Sequence, residues 1–131
     1  MPEEVRPSLL VVDDDDLVRE SLASALRRSG FVVRLAAGGE EAVELYRRHG
    51  ADIAAVLLDV RMPGMDGPNA LAALRRLNPA VRCCFMSSYI EGYSREELLA
   101  LGGDDFFLKP ISLAELMTIL RQLLGLRSAG V

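Results

Sequence analysis

At 131 residues, half of them hydrophobic and 26% charged, the chain is long enough for one packed domain and too short to favour two. A domain of this length buries roughly two-thirds of its unfolded surface, so it requires neither disulfides nor a structural metal to hold together. Fifteen Lys and Arg against 19 Asp and Glu give a formal net charge of -4 with no basic stripe, which argues against an electrostatic grip on nucleic acid.

In chain order, Leu9 to Val12 has the composition of a short strand buried on both faces. It runs into Asp13-Asp14-Asp15-Asp16, after which Val18, Leu22, Ala25, Leu26 and Ser29 share a helical face, with Asp16 placed to cap the helix. Phe31 to Leu35 predicts a second strand, followed by a helix that carries Ala42, Val43 and Tyr46 on one side. Ile53 to Leu58 predicts the third, ending at Asp59. Leu71, Leu74 and Leu77 mark the next helix, whose start tolerates Pro68 because an N–H there has no intrahelical partner. Cys83 to Met86 predicts a fourth strand that ends in Ser87-Ser88. Ser94 and Glu97 have capping-box spacing before Leu98 and Leu101, and Gly102-Gly103 offers a left-handed exit, so a helix is expected over about 94–101. Phe106 to Leu108 predicts the fifth strand and ends in Lys109-Pro110. Leu113, Leu116, Met117, Leu120, Leu123 and Leu124 then follow the i, i+3, i+4, i+7 rule behind Ser112 and Glu115, with Gly125 as the stop.

Five strands alternating with five helices predict an all-parallel, doubly wound α/β sandwich, because right-handed crossovers place helices on both faces of the sheet. The domain is expected over 8–124, with short flexible tails at 1–7 and 125–131. Cys83 and Cys84 are adjacent, where a mutual bridge would be strained, and read as reduced core residues suited to cytosol. The acidic start, Met1-Pro2-Glu3-Glu4, does not resemble a signal peptide. The run Ile53 to Leu58 is far short of the roughly 20 residues that cross a bilayer. A cytoplasmic protein with no membrane contact is the expectation.

Ligands of such sheets sit beyond the carboxyl ends of the strands. Every candidate group lies there: the four aspartates after the first strand, Asp59 after the third, Ser87-Ser88 after the fourth and Lys109 after the fifth. Singly, each has a bland explanation as a turn, a cap or a solvated charge. Together they are more demanding, since carboxylates about 4 Å apart repel by roughly 4 kcal/mol per pair at an effective dielectric near 20. Either protons or a divalent cation must neutralise such a cluster, and an all-oxygen donor set favours Mg2+, with Mn2+ or Ca2+ as alternatives. His49 is no rival ligand. A carboxylate held against a cation opposite a lysine suits attack on phosphorus, with Asp59 becoming an aspartyl phosphate and Lys109 and Ser87 contacting its oxygens.

Three segments carry a family resemblance: Val11-Val12-Asp13-Asp14-Asp15, Leu57-Leu58-Asp59-Val60-Arg61-Met62-Pro63-Gly64-Met65-Asp66-Gly67, and Gly102-Gly103-Asp104-Asp105-Phe106-Phe107-Leu108-Lys109-Pro110. In this order, at strand ends, they resemble the receiver domain of two-component response regulators over about residues 8–124. The resemblance implies a flavodoxin-like sheet in the order 2-1-3-4-5 and a phosphorylation-activated switch rather than an enzyme. It implies that Asp59 accepts a phosphoryl group from a phosphohistidine on a sensor kinase or phosphotransfer protein. It also implies that Asp14, Asp59 and the Arg61 backbone carbonyl bind Mg2+ directly, with Asp13 acting nearby through water. Ser87 stands at the family's Thr or Ser position, Phe106 at its switch aromatic, and Lys109-Pro110 at its cis peptide. The responding surface would be α4–β5–α5, roughly residues 89–124, facing an output partner not named by the sequence or a second copy.

Three departures from the family pattern stand out. Asp15-Asp16 extend the acidic pair, Phe106 lacks the hydroxyl of a Tyr, and Pro68 follows Gly67. Strand alternation and the motif favour Asp13-Asp14 as the metal pair. Arg61, two residues past the acceptor, is placed to cover the phosphoryl site and alter its lifetime. Tyr89 and Tyr93 read either as half-exposed packing or as partner surface. Two alternatives remain open: a haloacid-dehalogenase-like Mg-dependent phosphatase, for which Asp13 and Asp15 have the spacing, and a receiver-like module that binds without phosphorylation. A stand-alone receiver and a piece of a longer regulator or hybrid kinase are equally compatible with the chain.

Overall fold

The computed structural model describes residues 6–88 and 93–126. Five strands, β1 (Ser8–Val12), β2 (Val32–Ala36), β3 (Ile53–Asp59), β4 (Cys83–Ser87) and β5 (Asp105–Leu108), form one parallel sheet in the order β2-β1-β3-β4-β5. Between and after them run α1 (Asp16–Arg28), α2 (Gly39–His49), α3 (Gly67–Leu77), α4 (Arg95–Ala100) and α5 (Leu113–Leu124). This is the flavodoxin-like doubly wound arrangement expected from the sequence.

Alternation along the strands builds two separate cores. Leu10, Val12, Val56, Leu58 and Phe85 pack under α2, α3 and α4, against Ala42, Tyr46, Leu71, Leu74 and Leu98. Their neighbours Leu9, Val11, Leu57, Cys84 and Met86 pack under α1 and α5, against Ala23, Leu26, Leu116 and Leu120. Because successive side chains leave a strand on opposite faces, a central strand buried on both sides must be apolar at every position. That is why β1, after Ser8 at its start, is the unbroken apolar run Leu9 to Val12, ending abruptly in charge. Cys83 and Cys84 are buried free thiols, one in each core. No helix among the described residues is long and apolar enough to cross a membrane.

Several local expectations shift. Asp15, not Asp16, caps α1: its carboxylate accepts from the N–H groups of Leu17 and Val18 at 2.9 and 3.1 Å, while Asp16 is the first helical residue. The chain needs only Asp13 and Asp14 to leave the sheet, so the cap falls one residue early. Ser29 is the exposed C-cap of α1 and not part of its apolar face, and Leu77 at the end of α3 is exposed. The second strand begins at Val32 because the N–H of Phe31 is committed to the Leu26 carbonyl at the end of α1. Ser94 and Glu97 form the full reciprocal capping box, whereas Ser112 makes only the forward half, to the Glu115 N–H. Gly102 and Gly125 take the left-handed conformations that end α4 and α5, with φ of 108° and 67°.

Candidate functional site

Where β1 stops, the chain turns outward with Asp13 locked in place. Its N–H donates to the Ala36 carbonyl of β2 at 3.2 Å. One carboxylate oxygen accepts the Asp15 N–H at 2.9 Å, and the other meets Lys109 Nζ at 2.5 Å. The Asp13 side chain is fully buried and that of Lys109 is 12% exposed, so this is an interior ion pair. Asp14, next in the chain, is exposed.

Asp59 ends β3 beside β1, and the sheet register brings it to the same edge: Val12 pairs with Leu58, one residue before it. Its carboxylate is buried, with one oxygen 3.4 Å from Lys109 Nζ. Asp13, Asp14 and Asp59 each offer an oxygen within 4.8 Å of the others. Burial, and after it the charge of Asp13, push the Asp59 carboxyl up to about 7 from its ordinary 3.8, with Lys109 pulling the other way. Burial works against the charge on Lys109, but its hydrogen bond to Asp13 and the fields of Asp59 and Asp13 outweigh it and hold the ammonium above its ordinary 10.5. The lysine is therefore a fixed cation near neutral pH, while one carboxyl is poised to exchange a proton for another positive charge.

Asp13, Asp14, Asp59, Arg61, Ser87 and Lys109 line one open cleft of about 250 Å3. Ser87, buried at the tip of β4, also takes the Lys109 N–H on its carbonyl at 2.8 Å, which couples the ends of β4 and β5. The Lys109-Pro110 peptide is cis. Phe106 does not line the cleft; it is buried in the core with Phe85 and Leu98 of α4.

The segment after Asp59 folds back on the end of β3. The Gly67 N–H donates to the Val60 carbonyl at 2.8 Å, and a Cβ on Gly67 would lie 2.4 Å from the Asp59 carbonyl oxygen, so only glycine fits. Glu40 of α2 accepts the Met65 N–H at 3.0 Å from one side. From the other, Tyr93 donates its hydroxyl to Asp66 at 3.1 Å, and Asp66 itself caps α3 through the Asn69 N–H at 2.9 Å. Tyr93 is thus partly buried packing with a specific polar partner; Tyr89 lies outside the described residues.

Sequence reasoning missed Arg19, Glu40, Asp66 and the close approach at Gly67. Only Arg19 and Asp66 left a local signal, the i, i+3 spacing of Arg19 from Asp16 and of Asp66 from Asn69; Glu40 meets a segment 25 positions away, and the Gly67 approach depends on how the loop after β3 closes.

A sequence model of the response regulator receiver domain matches residues 9–121. Sensor kinase CckA of Brucella abortus is 38% identical over 89% of this chain and 12% of its own length. Transcriptional regulatory protein PrrA of Mycobacterium tuberculosis is 39% identical over 94% of this chain and 52% of its own length. The chain thus spans about half the length, or less, of these curated relatives. Among solved structures, the CheX-CheY-BeF3-Mg+2 complex from Borrelia burgdorferi contains a chain 29% identical, matching with a TM-score of 0.83 over 89% of this chain and 88% of that one. Sheet order, strand-end aspartates and a family match over nearly the whole fold agree, and the chain belongs to the response regulator receiver domain family.

Proposed function

We propose that this domain is a phosphorylation-controlled signalling switch in which Asp59 accepts a phosphoryl group from the phosphohistidine of a sensor kinase or phosphotransfer protein. The observation that carries the reading is the convergence of Asp13, Asp14 and Asp59 within 4.8 Å around one buried lysine. An Asp59 carboxylate oxygen attacks phosphorus as the phosphorus–nitrogen bond breaks, and the bonding pair returns to the imidazole. Lys109 neutralises one phosphoryl oxygen and the Ser87 hydroxyl donates to another.

The donor set fits Mg2+, because all three side chains offer oxygen and the cluster carries more negative charge than Lys109 can balance. Asp14, Asp59 and the Arg61 carbonyl would hold the ion, with Asp13 acting through water; Mn2+ would suit the same donors. Bound there, the ion supplies electrostatic stabilisation of charge on the phosphoryl oxygens. Asp13 has both oxygens engaged by Lys109 and Asp15, which supports its role as an organiser and does not favour the phosphatase alternative, in which it would be the nucleophile.

The phosphoryl group would draw Ser87 toward it, and Phe106, which shares a core with Leu98 of α4, would transmit that movement to α4, β5 and α5. That face then meets an output partner or a second copy. The domain assists its own phosphorylation and dephosphorylation and turns over no other substrate. Intact-mass analysis after incubation with Mg2+ and a small acyl-phosphate donor tests this: one phosphoryl adduct is expected, absent in Asp59→Asn. An adduct that persists in the variant refutes the acceptor assignment.

A further inference from the structure

Arg19 of α1 takes no part in the chemistry above, yet its side chain is only 12% exposed and both arms of its guanidinium are occupied. Nη1 donates to the Asp13 carbonyl at 2.7 Å, and Nη2 pairs with Asp16 at 2.5 Å. Withdrawing a guanidinium from water costs free energy unless it is paired and hydrogen-bonded, so this placement is an organised one.

The consequence falls on Asp14. The peptide before it is held through the Asp13 carbonyl by Arg19, and the peptide after it through the Asp15 N–H by the Asp13 carboxylate at 2.9 Å. With both flanking peptide planes pinned, the direction of the Asp14 Cα–Cβ bond is set from outside, although Asp14 itself is exposed and would otherwise sample many orientations. We propose that Arg19 is a positioning residue that keeps Asp14 turned toward Asp59 and so preorganises the divalent-cation site. This rests on the Mg2+ reading given above. A preorganised donor saves the ordering cost at the moment of binding, which raises affinity with no new contact.

Charge and positioning predict opposite signs. A cation beside an acidic cluster competes with Mg2+, so if Arg19 acted only by charge, its removal would tighten Mg2+ binding. If it acts by positioning, removal weakens binding.

Calorimetric Mg2+ titration of the wild type and Arg19→Met decides between them, with folding verified by circular dichroism. We expect Arg19→Met to bind Mg2+ about tenfold more weakly. In chelator, exchange of the Asp15 amide is expected to be about tenfold faster, because the Asp13 carbonyl is no longer tied to α1 and the turn that aims the Asp15 N–H at the Asp13 carboxylate opens more often. An unchanged or tighter Kd, or unchanged Asp15 exchange, overturns the proposal. Should Arg19→Met not fold, Arg19→Lys keeps the charge and loses the fork, and about twofold to threefold weaker binding is expected; equal or tighter binding overturns it. A wild-type protein that takes up no Mg2+ refutes the cation site itself, whereas wild-type binding that survives the substitution refutes only the role of Arg19.

Discussion

Replacing Asp59 by Asn should stabilise the metal-free domain while abolishing phosphoryl acceptance. Two unit charges at the 4.8 Å limit of this cluster repel by about 3.5 kcal/mol at an effective dielectric near 20. Burial adds a larger penalty on the charged form, Lys109 offsets part of both at 3.4 Å, and the balance is a carboxyl raised from 3.8 to about 7. At roughly 1.4 kcal/mol per pH unit, the ionised form carries a penalty of about 4 kcal/mol in the fold. Asn loses the attraction to Lys109, and relaxation of exposed Asp14 absorbs another share, which leaves a gain of about 1–3 kcal/mol near pH 8. For a domain of this size that is a rise in Tm of roughly 4–12 °C.

The pH dependence is diagnostic. Native Asp59 retains a proton that the unfolded chain releases between about pH 4 and 7, so this contribution to wild-type stability is full below that window and lost as pH rises through it. Asn does not titrate. Thermal melts in chelator should show the variant's advantage opening between about pH 4 and 7, and millimolar Mg2+ should raise the wild-type Tm and leave the variant's almost unchanged. A gap that is absent near pH 8, or flat with pH, would mean that Asp59 is neither buried nor crowded by charge, and the electrostatic reasoning would fail.

Gly67→Ala should destabilise by at least about 2 kcal/mol and reduce phosphoryl labelling of the folded fraction, because its Cβ meets the Asp59 carbonyl at 2.4 Å; a melt unchanged from wild type would contradict the close approach. Asp15→Ala should cost about 1 kcal/mol by exposing two N–H groups of α1, with labelling of Asp59 preserved, as urea unfolding and intact mass would show. Burial pushes the Cys84 thiol up to about 12 and also holds the Cys83 thiol well above its ordinary range, so thiol reagents near pH 8 should react with the native protein only as fast as it opens. Rapid modification without unfolding would place the thiols elsewhere. Arg61→Ala should change the lifetime of phosphorylated Asp59, followed by mass after donor removal, since Arg61 lines the cleft; an unchanged lifetime removes it from the site's control.

The scaffold, and the sheet edge that collects the charged groups, were legible in the order of residues alone. Burial of the central strands on both faces demands continuous apolar runs, so Leu9 to Val12 and Ile53 to Leu58 stand out without any structure, and the charges that end them are confined to one edge. Periodicity likewise located α5, and cap spacing located α4. Boundaries were less secure: nothing local distinguishes Asp15 from Asp16 as a cap until the exit path of β1 is known.

How the charges divide their work emerges when distant parts of the chain meet. Asp13 and Asp14 are adjacent and chemically identical, yet Lys109, 96 positions from Asp13, turns one into a buried ion-pair partner and leaves the other exposed. The same holds for Glu40 and Tyr93, ordinary surface residues by composition that become constraints on the site once distant segments meet. Strand and helix patterns are properties of neighbours along the chain, whereas proton affinity and side-chain direction depend on what is near in space.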